Sequence, residues 1–146
     1  MTFEEYELQC KIERESNEEY LKGFENDMKE DGLSEKTIAR HLFNVDFYIN
    51  EYLLREEPLE MRDGCYLVDD FLGYFFIRKC MWSTPGTIKS TAASLKKFYK
   101  YMLSKGNIQK DEYQELYDII KENMDIWQDH CERFNNPSLE NPFGHI

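Results

Sequence analysis

Proline and glycine are scarce in this chain of 146 residues, with four of the first and seven of the second. A chain so poor in both is not a loop-rich β fold, and its 41% hydrophobic content rules against disorder. Long apolar runs are missing too. None approaches the roughly 18 residues that a membrane span needs, so the expectation is a protein with no membrane partner and a cytoplasmic location. The four cysteines, Cys10, Cys65, Cys80 and Cys131, show no C-x-x-C spacing. The first residues are acidic rather than basic and then apolar, so the cysteines read as reduced thiols. His41 and the pair His130-Cys131 lie on different expected helices, where single ligands read as packing residues. No metal or other cofactor is expected. A glycine-rich phosphate loop is also absent, because Pro85-Gly86 is accounted for by a helix start.

What is present is enough for one helical domain. The charged fraction is 32% and the aromatic fraction 15%, which gives a core and a solvated surface to one unit of ordinary size. The net charge is −11. Its distribution is uneven. Residues 1–31 and residues 111–146 each carry −7, whereas residues 83–110 contain no acid and hold Lys89, Lys96, Lys97, Lys100, Lys105 and Lys110. A strongly acidic chain has therefore gathered lysine without acid on one segment.

Two stretches fifty positions apart read as copies. Gly32 to Leu53 carries the stripe Ile38, Leu42, Val45, Ile49, Tyr52, and Trp82 to Leu103 carries Ile88, Ala92, Leu95, Tyr99, Met102. Both have the spacing of an amphipathic helix. Each opens on a hydroxyl able to cap a helix, Ser34 or Thr84, and Pro85 stands at the first helical position, where its missing N–H costs nothing. The correspondence extends upstream, with Gly23 matching Gly73 and Lys29 matching Lys79.

The expected fold is therefore all-α, a compact bundle of four to five helices built as two hairpins, with a long C-terminal fifth helix. Residues 1–16 read as an acidic extension. Ser16-Asn17-Glu18-Glu19 has the form of a capping box, so a first helix is expected from there to near Glu30. The second takes Glu35 to about Leu54, the third Leu67 to Lys79 as the buried partner of the fourth, and the fourth Pro85 to about Ser104. The fifth starts near Asp111, with Leu116, Ile120, Met124, Trp127, Cys131 and Phe134 on one face. The domain spans 17–134, and 135–146 is an unstructured tail.

Gly32-Leu33-Ser34-Glu35-Lys36-Thr37-Ile38 and the later Leu95-Lys96-Lys97-Phe98-Tyr99-Lys100-Tyr101-Met102, closed by Lys105-Gly106, together resemble a known family. They are similar to the "GLS-x-x-T" turn and the fourth helix of the SAM-like core-binding domain of tyrosine recombinases and phage integrases. The resemblance covers residues 17 to 110. It implies a grip on duplex DNA through the second and fourth helices, with Lys36, Arg40, Asn44, Thr87, Ser90 and Lys97 facing the major groove. Lys89, Lys96 and Lys100 lie beside them, suited to phosphates.

The same family needs a catalytic domain with an Arg-Lys-His-x-x-Arg set and a tyrosine nucleophile. His130-Cys131-Glu132-Arg133 spells His-x-x-Arg, but no tyrosine follows it. The expectation is a module without enzyme activity or small-molecule substrate, either a small protein or a piece of an integrase, that binds DNA weakly and with strong salt dependence. A second reading keeps the fold and drops the DNA. In that reading the fifth helix, bearing Trp127 and Phe134, or the aromatic third pairs the chain with itself or with a recombinase.

Overall fold

In the computed structural model, which describes residues 1–144, five helices form an all-α bundle, and no strand occurs among the described residues. Helix α1 (Phe3–Glu30) is followed by α2 (Glu35–Asp46), which continues through a π-helical stretch, Phe47–Tyr52. A short 3-10 turn, Met61–Cys65, leads to α3, made of Val68–Asp70, π-helical Phe71–Phe75 and Phe76–Lys79. Then come α4 (Pro85–Ser104) and α5 (Lys110–Asn135).

The helix ends follow the chemistry of the sequence. Ser34 Oγ accepts from the Thr37 N–H at 3.2 Å, and Thr84 Oγ1 accepts from the Thr87 N–H at 3.0 Å. These bonds satisfy donors that a helix start otherwise leaves open. The helices α1 and α4 both stop at glycines in the left-handed region, Gly32 at φ 79° and Gly106 at φ 77°, where a side chain would be strained.

Residues 1–16 are not a separate extension. The first helix begins at Phe3, capped by Thr2 Oγ1, which accepts from the Glu5 N–H at 3.1 Å. It runs straight through Ser16-Asn17-Glu18-Glu19 because nothing there breaks it, and that stretch docks on the end of α2. The Tyr6 hydroxyl donates to the Leu54 carbonyl, and Asn17 Nδ2 donates to Ile49 O at 3.3 Å and to Asn50 Oδ1 at 2.7 Å. The capping-box pattern marks no start here, since its residues are equally tolerated inside a helix.

Helix α4 is the centre of the bundle. Ile88, Ala92, Leu95, Phe98, Tyr99 and Met102 are buried along it, and it packs against α2 on one side and α5 on the other. The third helix leans mainly on α5 rather than on α4. Gly73 explains why. A Cβ there would come within 2.6 Å of Trp127 Nε1, so the missing side chain is what lets α3 lie over the indole. Trp127 is fully buried and donates from Nε1 to Asp69 Oδ1 at 2.7 Å. The apolar face of α5 thus closes the chain's own core instead of standing free for a partner.

The two π-helical stretches meet through their rings. Phe71 lies 4.6 Å from Tyr48 and 4.8 Å from Tyr52, and Tyr52 lies 5.1 Å from Phe75. Two buried tyrosines then hold the 3-10 turn: Tyr48 donates to Gly64 O at 2.6 Å and Tyr99 to Met61 O at 2.7 Å. Beyond α5 the described residues of the tail form no helix, but Phe143 packs against Tyr74 at 5.2 Å and His130 at 5.5 Å. The last two residues of the tail lie outside the described residues.

Leu95 is fully buried, so Leu95→Ala should cost about 2 to 5 kcal/mol in urea unfolding. Gly73→Ala, which adds only one methyl, should also destabilise measurably because a buried indole must move. A neutral Gly73→Ala would contradict this packing of α3 on α5.

Candidate nucleic-acid interface

Helices α2 and α4 lie side by side and antiparallel, with Phe47 against Trp82 at one end and His41 and Asn44 against Ser94 further along. Their seam is polar and fully paired. Ser94 Oγ donates to Ser90 O at 3.1 Å and accepts from Asn44 Nδ2 at 3.0 Å. His41 Nδ1 lies 2.7 Å from the same hydroxyl, a hydrogen bond whose direction follows the ring tautomer.

Outside the seam, α2 exposes Lys36 and Arg40, and α4 exposes Lys89 and Lys100, with Lys96 and Lys97 half-buried beside them. None of these six cations has a carboxylate within 4.0 Å among the described residues. By contrast, Arg14, Lys22, Lys29, Arg55, Arg62 and Arg133 are all paired with acids. The four lysines of α4 belong to a run without acid that extends from Phe71 to Lys110. Gly86 and Ala93 lie on the same exposed face of α4 and keep it low between the lysines.

The nine residues expected at this face divide by their partners. Lys36, Arg40, Lys89, Lys97 and Lys100 are available to a ligand, and Lys96 leans toward α5, with Nζ 5.9 Å from the Tyr117 ring. Asn44 is committed to Ser94. Thr87 Oγ1 is committed to the helix start, accepting from the Thr84 N–H at 2.7 Å and donating to Trp82 O at 3.1 Å. Ser90 is half-buried, and its carbonyl takes the Ser94 proton.

Three apolar residues beside the strip escape a reading of stripes and charges. Phe43 is 57% exposed on the same face of α2 as Lys36 and Arg40, and it touches Trp82, which follows the fully exposed Met81 in the loop before α4. Phe43 falls outside the stripe Ile38, Leu42, Val45. That was the available signal.

Elsewhere the chemistry is quiet. The four thiols are buried and unpaired, and burial pushes Cys65 up to about 12 and Cys80 to about 11. Burial likewise raises the hydroxyls of Tyr48 and Tyr99, which are spent on backbone carbonyls. No group of three metal-ligating side chains comes together among the described residues, and no helix there is long and apolar enough to cross a membrane. The His-x-x-Arg of α5 is not assembled into a site: the His130 ring rests on Phe143, and Arg133 Nε donates to Asp129 Oδ2 at 3.0 Å. A groove between α1 and α2, floored by Leu21, Leu42 and Phe43, has its cations Arg14 and Lys22 already paired. Comparison with protein-family models, curated proteins and solved structures found no match to this chain.

His41 reports on the strip. Its burial, and then the positive charges of Arg40 and Lys97, hold the imidazole below its ordinary value of 6.5. The unfolded chain accepts a proton that the folded ring resists, so this contribution leaves stability full above about pH 6.5 and lowers it as the pH falls below that. Urea titrations at pH 7.5 and 5.5 should show the loss, and His41→Gln should reduce it. An equal loss in the variant would contradict the assignment.

Proposed function

We propose that this chain is a non-catalytic module that binds duplex DNA through the basic strip of α2 and α4, in the manner of a tyrosine recombinase core-binding domain. The observation that carries the reading is the segregation of charge. In a chain of net charge −11, the six cations Lys36, Arg40, Lys89, Lys96, Lys97 and Lys100 of one helix pair have no acidic partner among the described residues, whereas Arg14, Lys22, Lys29, Arg55, Arg62 and Arg133 are paired. Unpaired lysine and arginine on a low helical surface suit phosphates, and neutralising phosphates releases counterions. The absence of enzyme activity is part of the same proposal. It is supported by the Cys65 and Cys80 thiols, whose burial raises their pKa, and by the Tyr48 and Tyr99 hydroxyls, which are spent on backbone carbonyls.

The acidic residues of α1 and α5 repel a duplex, although salt screens that repulsion beyond about 8 Å under physiological conditions. A single module also lacks the second arm that would raise affinity by linked binding. The expected affinity is micromolar or weaker.

Fluorescence anisotropy with a labelled duplex tests the reading. Affinity should fall with salt at a log-log slope of about −0.9 per phosphate neutralised, about −3 to −4 in all. Replacing Lys96, Lys97 and Lys100 together by Glu should abolish binding without changing the helical circular dichroism. The absence of binding at low salt would overturn the proposal, and a covalent adduct on a nicked duplex would overturn its non-catalytic part.

A further inference from the structure

Phosphate contacts do not account for the apolar cluster beside the strip. Met81 is 100% exposed, Trp82 45% and Phe43 57%, and Phe43 and Trp82 meet at 6.4 Å. Their exposure is built in. The Ser83 N–H closes a turn onto Cys80 O at 3.1 Å, and both of those residues are buried. Ser83 Oγ donates to Ile77 O at 3.2 Å, Asn135 Nδ2 donates to Ser83 O at 2.9 Å, and Thr87 Oγ1 holds Trp82 O. The turn therefore presents two large side chains from a backbone anchored on three helices.

We infer that the Cys80–Ser83 turn is an insertion element for nucleic acid, taking an unpaired base against Trp82 while Met81 fills the gap it leaves. This rests on the DNA reading above and narrows its substrate to duplexes that carry an unpaired or unstacked base. Two observations point that way. The turn lies within the acid-free run and is flanked by Arg78, Lys79 and Lys89, so the partner it fits is anionic. The rings of Phe43, Phe47 and Phe76 meet the indole at 64°, 79° and 87°, so none of them stacks parallel to it, and the indole stays 45% exposed. An acidic peptide or an anionic vesicle would also match the charge, but a flat base is what uses an exposed indole without a parallel ring on it. Apolar wedges beside phosphate-binding cations are how proteins engage steps that unstack easily.

The test compares two labelled duplexes of equal length by anisotropy, one fully paired and one with a single unpaired nucleotide. The unpaired site should bind about tenfold more tightly, the scale of one base stacked on one aromatic ring. It should also quench the emission of Trp82, since Trp127, the second of two tryptophans, is fully buried. Met81→Gln removes the wedge at a side chain with no packing role, and Trp82→Phe keeps a ring in the aromatic cluster. Both should reduce the preference toward unity. Salt-sensitive binding with no preference would overturn this inference and leave the DNA reading standing, whereas no binding to either duplex would end both. Retention on phosphatidylserine vesicles that Met81→Gln abolishes, without any base preference, would assign the turn to a membrane surface instead.

Discussion

The hydroxyl of Ser94 fixes how the two basic helices lie against each other. It is buried where α2 crosses α4, and it is within hydrogen-bond distance of Ser90 O, Asn44 Nδ2 and His41 Nδ1. A small side chain lets the helices approach. A polar junction in a low-dielectric seam also penalises any slip that would leave one of its members unpaired. Register follows from that penalty, and register decides that Lys36 and Arg40 on one helix share a surface with Lys97 and Lys100 on the other. The basic strip is thus a consequence of a buried hydrogen-bond network rather than of the lysines themselves, whose mutual repulsion opposes it.

A second constraint works on the far side of the bundle. Helix α4 has one face on α2 and another on α5, so α3 finds its place over Trp127, where Gly73 leaves room. That arrangement spends the apolar face of α5 internally. At the start of α4, a turn held by Asn135, Thr87 and Ile77 leaves two large side chains exposed, Met81 and Trp82. Rigid scaffold and presented side chains are therefore separated along the chain.

Much of the fold was legible because its signals are local. The caps at Ser34 and Thr84, the glycine stops at Gly32 and Gly106, and the stripes of α2 and α4 depend only on neighbours within a turn or two. Helix α1 was misread at its start because Ser16 to Glu19 satisfies a capping pattern that is harmless inside a longer helix, and the contact of Tyr6 with Leu54 is set by tertiary structure. The packing of α3 on α5 could not be foreseen from the fifty-residue correspondence, which equates Gly23 with Gly73. Those glycines serve different rings, Tyr101 for one and Trp127 for the other. At the candidate face, the lysines were visible as a run without acid. The commitments of Asn44 and Thr87 were not, because a side chain's partner across a seam leaves no trace in spacing.

The account stands on the claim that the seam between α2 and α4 presents its cations to a polyanion, and amide chemical shifts measured during a titration with a short duplex at low salt address it most directly. The largest changes should fall on Lys36, Arg40, Lys89, Lys97 and Lys100, with the His41 ring moving as phosphate offsets the charges of Arg40 and Lys97. Changes confined to α1 or α5, or none at all at millimolar DNA, would contradict it.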